Sequence, residues 1–288
     1  MKLYKTIKGV LLVDGQEACW VLEDWDGLVN QHSLHSHLSE CFHQADKFAT
    51  PDMEVIKGYG LLAPIGSQEL WAAGVTYKRS RDARMEESKE AGGGDFYQKV
   101  YEADRPELFF KSLPQRIADP FRHICIRSDS SWNVPEPELT LFMNASGAIQ
   151  AYTIGNDMSS RSIEGLNPLY LPQAKTYERC AALGPCLFIP EDPISRSTVI
   201  SMRIEREGRD VFNRSIQLDQ MKRSLPELAH WLFRACEFPQ GVYLMTGTGM
   251  VPPDDFTLQE LDVVTIQVEG IGNLQNVVKT LKVINLSF

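Results

Sequence analysis

The sequence predicts an α+β protein that is mostly β, with a rolled, barrel-like catalytic domain after a small N-terminal α/β domain. Short apolar segments recur along the chain, separated by turn residues about every ten positions. Few segments show the spacing of an amphipathic helix. With 288 residues the chain can build one large domain and one small one. We place the small domain at residues 1–65 and the catalytic domain at residues 66–288.

Composition restricts the class of partner. The formal net charge of −9 and the pI near 5.2 argue against nucleic acid or an anionic membrane as the main partner, because both require clustered Lys and Arg. No apolar run approaches the roughly 20 residues of a membrane span. The six cysteines include no C-x-x-C pair, and no secretory signal is recognised. We therefore expect reduced thiols in a cytoplasmic protein that acts on a small molecule.

The N-terminal segment contains one hairpin signal and a group of histidines. Residues 5–22 alternate loosely around Asp14-Gly15, which predicts a β-hairpin. His32, His35, His37 and His43 then fall within twelve residues. Their spacing matches no metal-binding motif and the segment is polar, so a solvated loop and helix face is the favoured interpretation.

The catalytic domain opens with a strand at residues 69–75 and a helix at residues 76–90. The helix ends at Gly92-Gly93-Gly94, which suits either a lid over a site or a plain flexible loop. Lid closure would bring Arg79, Arg81 and Arg84 near an anion. The next strand, residues 105–114, carries Glu107 and Lys111 towards its two ends, where either could be a surface residue.

The central stretch contains paired carboxylates. Glu136 and Glu138 flank Pro137 at the start of an apolar strand and project from one face, because the side-chain period of a strand is two. The turn residues 144–147 predict a hairpin that carries Asp157 to the far end of its second arm. Three such carboxylates would suit a divalent metal. A solvated strand face, with Asp157 capping a helix, is the alternative that spacing alone leaves open.

The C-terminal third alternates strands with one helix. Ser224 and Glu227 form a capping-box pattern before that helix. A buried strand then leads to Gly247-Thr248, where backbone amides and a hydroxyl could hold a carboxylate or phosphate. The predicted strands lie at residues 198–205, 211–216, 241–245, 263–268 and 277–284.

In this order the motifs resemble the fumarylacetoacetate hydrolase superfamily from residue 69 to residue 283. The matching motifs are Glu136-Pro-Glu138, Tyr152-Thr-Ile-Gly-Asn156-Asp157-Met-Ser159-Ser-Arg161, Lys175 with Gly184-Pro185, Gly247-Thr248, and Glu269-Gly-Ile-Gly272. The resemblance implies the superfamily's rolled β fold and a homodimer or homotetramer. It also implies a metal held by Glu136, Glu138 and Asp157, with Mg²⁺ favoured over Mn²⁺ or Ca²⁺.

Within the superfamily, enzymes that hydrolyse carbon–carbon bonds carry a catalytic His three to five residues after the tyrosine matching Tyr77. This chain has Ser80, Arg81 and Asp82 there, and no histidine between His43 and His123. Its local sequence is instead similar to the branch of 2-keto-3-deoxy-D-arabinonate dehydratases. The segments that carry this likeness are 71–87, 101–111 and 170–175.

The dehydratase branch implies the Mg²⁺-dependent conversion of 2-keto-3-deoxy-D-arabinonate, which is the same compound as 2-keto-3-deoxy-D-xylonate, into α-ketoglutarate semialdehyde. A 2-keto acid chelates Mg²⁺ through its keto and carboxylate oxygens, which stabilises an enolate and allows the C4 hydroxyl to leave. Lys175 and Glu107 are the expected acid/base pair, and which of them is the base stays open.

The remaining expected site residues bind substrate. Thr248 and Gly247 are expected to hold the substrate carboxylate, with Glu164 a further polar candidate. The expected wall residues are Arg161, Tyr77, Ser80 and Lys111.

Two other functions stay open at this point. The first is hydrolysis or decarboxylation of an acylpyruvate or another β-diketo acid, with Glu86 or Glu87 replacing the missing histidine as base. The second is a non-catalytic protein that binds 2-keto acids on the same fold. The intact carboxylates and Lys175 count against the second function.

Overall fold

A computed structural model describes residues 1–87 and 94–282 of the chain, without the side chains of residues 86, 87 and 94–96. The strands are β1 (Lys2–Thr6), β2 (Gly9–Asp14), β3 (Glu17–Val21), β4 (Phe48–Ala49), β5 (Glu69–Gly74), β6 (Glu107–Ser112), β7 (Ile117–Ala118), β8 (His123–Ile126), β9 (Asn133–Val134), β10 (Pro137–Met143), β11 (Ile149–Asp157), β12 (Ser159–Ser160), β13 (Ala181–Phe188), β14 (Val199–Arg206), β15 (Arg209–Gln217), β16 (Val242–Met245), β17 (Val263–Val268) and β18 (Gly272–Thr280). The α-helices are α1 (Trp25–Val29), α2 (Leu34–Gln44), α3 (Met53–Gly58), α4 (Lys78–Glu87), α5 (Gly94–Glu102), α6 (Arg161–Leu166), α7 (Leu171–Lys175) and α8 (Leu225–Phe233).

Most strands form two large mixed sheets, and β9 and β12 form a separate pair, so the mostly-β prediction is confirmed. The larger sheet has the order β4-β3-β2-β1-β13-β11-β10-β16-β5-β6, with β7 paired to β13. The smaller has the order β15-β14-β17-β18-β8. Within the described residues the expected barrel does not close, because the larger sheet ends in two separate edge strands, β4 and β6.

The N-terminal strands continue the larger sheet. The predicted hairpin around Asp14-Gly15 is confirmed as β2 and β3, with Asp14 opposite Glu17 and Gly15 at φ 57°. β1 pairs antiparallel with β13, and its Leu3 is fully buried. A division of the chain near residue 65 stays a prediction.

The central hairpin is confirmed as β10 and β11, and its turn shows why it forms there. The Asn144 Oδ1 atom accepts hydrogen bonds from the backbone N–H groups of Ser146 and Ala148, at 3.2 and 3.1 Å. Gly147 adopts φ 81°, a conformation that glycine reaches without steric cost. All of β10 is buried, as its apolar run predicts.

The strand directions place the ends of several strands at one edge of the larger sheet. β5 and β16 run parallel to each other and end there, and β11 ends beside them. β6, β10 and β13 run the opposite way and begin at this edge. Thr76 Oγ1 donates a 2.7 Å hydrogen bond to Thr246 O and joins the two parallel strand ends. The motifs singled out in the sequence therefore converge at this edge.

The helices are short, and α8 has the predicted capping box. The Ser224 side chain accepts from Glu227 N, and the Glu227 side chain accepts from Ser224 N, both at 3.2 Å. The helix predicted at residues 76–90 is observed as α4 from Lys78 to Glu87, and residues 88–90 lie outside the described residues. Gly92 and Gly93 of the predicted lid lie outside the described residues, as do residues 283 and 284 of the last predicted strand. No helix in the described part of the chain is long and apolar enough to cross a membrane.

Candidate active site

Three carboxylates meet at this sheet edge, as the sequence predicts, and we call them the acid triad. Glu136 precedes β10, Glu138 lies within it and Asp157 ends β11. One carboxylate oxygen from each lies within 4.8 Å of the others, and no more than 5% of any of the three residues is exposed. Their oxygens are the hard donors that Mg²⁺ and Ca²⁺ prefer, and small side-chain adjustments would bring all three onto one ion.

Three cations surround the acid triad. Lys175 Nζ donates to Glu136 Oε2 at 2.9 Å and to Asp157 Oδ2 at 3.0 Å. Lys111 Nζ lies 2.5 Å from Asp157 Oδ1. Arg161 Nη2 donates to Glu136 Oε1 at 2.6 Å. These contacts allow like charges to share a buried site, because each buried carboxylate needs a partner to offset its lost hydration.

The cations compensate the triad unevenly. Burial raises the pKa of Glu136, but the charges of Lys175 and Arg161 outweigh burial and hold that pKa well below its usual range. Burial, and then the charges of the other two carboxylates, raise the pKa of Glu138 well above its usual range. Glu138 Oε2 accepts a 2.5 Å hydrogen bond from the backbone N–H of Gly247. Among the three carboxylates, Glu138 is therefore the one whose ionised form a divalent ion would stabilise most.

A second buried carboxylate network lies beside the triad. Glu164 of α6 pairs with Arg84 of α4 at 3.0 Å and lies 3.5 Å from Lys175 Nζ. Burial raises the pKa of Glu164, but the charges of Arg84, Lys175 and Arg161 outweigh burial and lower it. The Arg84 to Glu164 ion pair therefore holds α4 against the site. Arg79 and Arg81, which were predicted to approach an anion together with Arg84, do not line the cavity at the acid triad.

Glu107 begins β6 directly opposite Gly74, the last residue of β5. The residue is partly exposed, but its Oε2 atom is buried and has no hydrogen-bond partner within the described residues. A Cβ atom at position 74 would lie 1.9 Å from that oxygen, so glycine there makes room for the carboxyl group. Burial raises the pKa of Glu107, and the charge of Arg84 opposes the rise.

The acid triad lines a small cavity, together with Gly74, Ser80, Arg84 and Thr248. Its volume of about 10 Å³ has room for about one water molecule. A larger groove of about 710 Å³, lined in part by Arg79, Phe212 and Gly249, contains none of the triad. We assign the chemistry to the smaller cavity, because every carboxylate of the triad faces it.

The predicted substrate-binding residues fall into two groups. Arg161, Ser80, Gly247 and Thr248 line the cavity. In this structure Ser80 Oγ donates to Tyr77 O at 2.8 Å, and Thr248 Oγ1 accepts from Met250 N at 3.1 Å. Their hydroxyl groups therefore hold local turns and would have to change partners to bind substrate.

The other group, Tyr77 and Lys111, does not line the cavity. Tyr77 is 1% exposed, and its hydroxyl has no hydrogen-bond partner in the part of the chain that is described. Lys111 Nζ contacts Asp157 and donates to Met158 O and Lys175 O. Three acceptors saturate its three N–H bonds in this structure, where Lys111 contacts Asp157, and its predicted contact with substrate stays a prediction.

Several site residues were not predicted from the sequence. Ser159 Oγ accepts a 2.5 Å hydrogen bond from Lys175, and the Phe109 ring lies 5.7 Å from the Lys175 ammonium. Gly74 carried no signal of its own, since its role depends on the β5 to β6 register. The side chains of Glu86 and Glu87, the alternative bases, lie outside the described residues.

The chain is similar to several known proteins. The family described as fumarylacetoacetate (FAA) hydrolase C-terminal matches residues 98–279. A probable 2-keto-3-deoxyxylonate dehydratase of Haloferax volcanii is 49% identical over 218 residues, covering 75% of this chain and 74% of that protein. A 2-dehydro-3-deoxy-D-arabinonate dehydratase of Saccharolobus solfataricus is 41% identical over 219 residues, covering 75% and 73%.

A solved structure extends the likeness to the whole fold. It is that of 2-keto-3-deoxy-D-arabinonate dehydratase complexed with magnesium and 2,5-dioxopentanoate. Its TM-score is 0.84 at 32% identity, and the match covers 98% of this chain and 100% of that one.

Proposed function

The chain belongs to the fumarylacetoacetate hydrolase family, and from that premise we propose that it is a Mg²⁺-dependent hydro-lyase. Its substrate would be 2-keto-3-deoxy-D-arabinonate, and its products water and 2,5-dioxopentanoate, also called α-ketoglutarate semialdehyde. Two relatives more than 40% identical carry dehydratase names for this sugar acid. The similar solved structure contains magnesium and this product.

The proposal rests mainly on the balance of acidic and basic side chains at the site. Among the described residues the site contains five carboxyl groups and four cations, a formal charge of −1 when all of them are ionised. A divalent ion together with a singly charged 2-keto acid would bring this set to neutrality. Such a balance favours binding both together, because an uncompensated charge in a buried site is costly. The groups are Glu107, Glu136, Glu138, Asp157 and Glu164 against Arg84, Lys111, Arg161 and Lys175.

The acid triad fits a divalent ion by donor type, by spacing and by the raised pKa of Glu138. Mg²⁺ held by Glu136, Glu138 and Asp157 would draw electron density from the keto and carboxylate oxygens of the substrate and make the C3 proton acidic. The protein's own task is then to move protons and to hold the substrate in place.

Glu107 is our choice of base. Glu107 does not itself line the cavity, but its buried Oε2 atom lies next to the wall residue Gly74 and has no hydrogen-bond partner in residues 1–87 and 94–282. Burial also raises its pKa towards the range in which a carboxyl group both takes up and releases protons. In this scheme Glu107 takes the C3 proton as the C2–C3 double bond forms.

Lys175 is our choice of acid. Three carboxylates surround its ammonium group, which keeps it protonated and fixes its direction. Lys175 gives a proton to the C4 hydroxyl, and the C4–O bond breaks to release water. One proton then leaves C5 and the C5 hydroxyl proton also leaves, while C3 and C4 each take up one proton, which converts the C5 alcohol into the aldehyde. The sum is loss of one water with no change of oxidation state.

Substrate entry requires the cavity to enlarge, because about 10 Å³ holds no more than about one water. Ser80 and Arg84 on α4 form part of its wall. We propose that α4 moves outward when substrate enters and that the Arg84 to Glu164 contact re-forms on closure.

A coupled assay tests this function. The Mg²⁺-loaded protein is incubated with 2-keto-3-deoxy-D-arabinonate and an NAD-dependent semialdehyde dehydrogenase, and NADH formation is followed. We expect NADH only when both the sugar acid and Mg²⁺ are present. Cleavage of acylpyruvate without NADH formation would instead indicate the hydrolase alternative, and binding without turnover would indicate the non-catalytic one.

The proposal extends to compartment and assembly. All six cysteines are free, which agrees with a cytoplasmic enzyme. Resemblance to the superfamily supports a homodimer or homotetramer, which light scattering after size-exclusion chromatography measures directly.

A further inference from the structure

A second group of metal-binding side chains lies outside the candidate active site, and we call it the N-terminal cluster. It consists of Glu23, between β3 and α1, with His37 and Cys41 on α2. None of the three lines the cavity at the acid triad. The proposed dehydration therefore gives these residues no role.

The three ligand atoms lie close together in a compact triangle. His37 Nε2 lies 2.8 Å from Glu23 Oε1, and Cys41 Sγ lies 3.6 Å from each of those two atoms. Zn²⁺ at about 2.0 Å from nitrogen or oxygen and 2.3 Å from sulfur has tetrahedral ligand edges of about 3.5 Å to sulfur and 3.3 Å between the other two. The two sulfur edges already have this length, and only the His37 to Glu23 edge must open, by about 0.5 Å.

The chain geometry explains why the triangle forms. His37 and Cys41 are four residues apart, so they project from one face of α2 on successive turns. Glu23 lies in the loop immediately before α1 and reaches across to both of them. Without an ion, Cys41 Sγ donates to Glu23 Oε1, and a bound metal would replace this hydrogen bond with a bond from each of the three side chains.

The ligand chemistry selects the ion. A thiolate, an imidazole and one carboxylate suit Zn²⁺ and similar borderline ions, while Mg²⁺ prefers oxygen alone. The His37 side chain is 28% exposed and that of Glu23 40%, so water can occupy the fourth position. We infer that Glu23, His37 and Cys41 form a second, zinc-type metal site that joins the loop before α1 to α2.

The site would tie α2 to the loop before α1. Separate hydrogen bonds already hold the start of α2 on the β10 to β11 hairpin, where Gln150 Oε1 accepts from Leu34 N at 2.8 Å. The Asn144 side chain donates to Gln31 O at 2.9 Å, just before that helix. An ion at the N-terminal cluster would therefore stabilise the position of α2 without entering the reaction.

Cobalt absorption tests the inference, because a thiolate bound to Co²⁺ gives a charge-transfer band that carboxylates cannot give. The full chain is stripped with EDTA, reduced, saturated with Mg²⁺ and titrated with Co²⁺. We expect one equivalent of Co²⁺ to produce the band and Zn²⁺ to abolish it. Cys41→Ser should lose the band, and His37→Gln and Glu23→Gln should each weaken Co²⁺ binding at least ten-fold.

Matched controls come from the same chain. Cys236→Ser removes an exposed cysteine and His43→Gln an exposed histidine at the end of α2, and both should bind Co²⁺ like the wild type. Absence of the band in the wild type would mean that the cluster is an ion pair only and would overturn the inference. A band of wild-type strength in Cys41→Ser, or wild-type affinity in His37→Gln or Glu23→Gln, would overturn it as well. Circular dichroism of each variant distinguishes loss of a ligand from loss of the fold.

Discussion

The acid triad and the N-terminal cluster each bring three potential metal ligands within 4.8 Å of one another, yet they differ in burial, donor type and surrounding charge. The triad is buried, has oxygen donors alone and is surrounded by lysine and arginine side chains. The N-terminal cluster is partly exposed and combines nitrogen, sulfur and oxygen. Ligand spacing therefore identifies a possible metal site, while burial and surrounding charge indicate whether it serves catalysis or structure.

The two sites also differ in how their ligands interact with one another when no metal is bound. In the triad, Glu138 raises the energy of the folded state when ionised, because burial and two like charges oppose its ionisation. In the N-terminal cluster, His37 and Glu23 attract each other without any ion. Substitutions at the two sites should therefore have opposite consequences for activity and for stability.

The largest expected effect is on turnover. Glu138→Gln and Asp157→Asn each remove an anionic oxygen ligand, so we expect kcat/KM to fall at least about 10⁴-fold, or about 5.4 kcal/mol of transition-state stabilisation. Steady-state kinetics with the sugar acid measure this loss, and Glu260→Gln, at an exposed position, should be neutral. Full activity of EDTA-treated wild type would disprove a metal mechanism.

Glu107→Gln should separate proton transfer from metal binding. We expect kcat to fall by about 10²- to 10⁴-fold, the usual contribution of a general base, with Mg²⁺ affinity unchanged. Because only the ionised carboxylate accepts a proton, wild-type kcat/KM should fall as pH drops through the raised pKa of Glu107, above the ordinary value of 4.5. Glu102→Gln, at an exposed position nearby, should leave the pH profile unchanged. An acid limb that persists in Glu107→Gln would assign the base elsewhere.

Two neighbouring carboxylates should respond oppositely in the metal-free protein. Glu136→Gln removes one carboxylate partner of Lys175 and of Arg161, so unfolding should require up to about 3–5 kcal/mol less. Glu138→Gln removes repulsion and should raise the unfolding midpoint. Urea unfolding after EDTA treatment measures the stability of both variants. Equal destabilisation would contradict the conclusion that Glu136 is well compensated by cations and Glu138 is not.

Gly74→Ala should displace the Glu107 carboxyl group, because the new Cβ would lie 1.9 Å from its Oε2 atom. We expect a stability loss of about 1–3 kcal/mol, typical of overpacking, together with a lower kcat. Gly58→Ala offers a control, since a Cβ there would meet no atom within 4 Å. Wild-type kcat in Gly74→Ala would show that the position of Glu107 does not matter.

The smallest effect on turnover is expected for substitutions in the N-terminal cluster. Zn²⁺ at a hundred-fold excess over its Kd should stabilise the wild type by about 2.7 kcal/mol and leave Cys41→Ser unaffected. Cys41→Ser should keep full Mg²⁺-dependent turnover, because Cys41 does not line the cavity. Calorimetry and kinetics on the same preparation test both statements. A large loss of turnover in Cys41→Ser would contradict this prediction and would show that the two sites are coupled.

The parts of the site that the sequence predicts are those encoded locally. Glu136 and Glu138 fall on one face because of strand periodicity, and Asn144 and Gly147 specify the turn that returns Asp157 to them. The capping box of α8 is local in the same sense. Each of these signals lies within a few residues of chain and needs no knowledge of the tertiary structure.

The parts that the sequence does not predict depend on long-range register and packing. Gly74 and Glu107 meet only because β5 pairs with β6 in one register. Lys111 was expected in the cavity wall, but α7 and Asp157 close over it and saturate its donors. The histidine spacing predicted no metal site, since the partners of His37 are a cysteine on the next turn and a glutamate from another segment.

The most direct test of the central claim is a ¹H NMR time course of the Mg²⁺-loaded protein with 2-keto-3-deoxy-D-arabinonate, run beside acylpyruvate. We predict that the sugar acid disappears as an aldehyde or its hydrate forms, with acylpyruvate unchanged and no reaction in Asp157→Asn. Cleavage of acylpyruvate with the sugar acid unchanged would contradict the dehydratase assignment and would direct attention to Glu86 and Glu87.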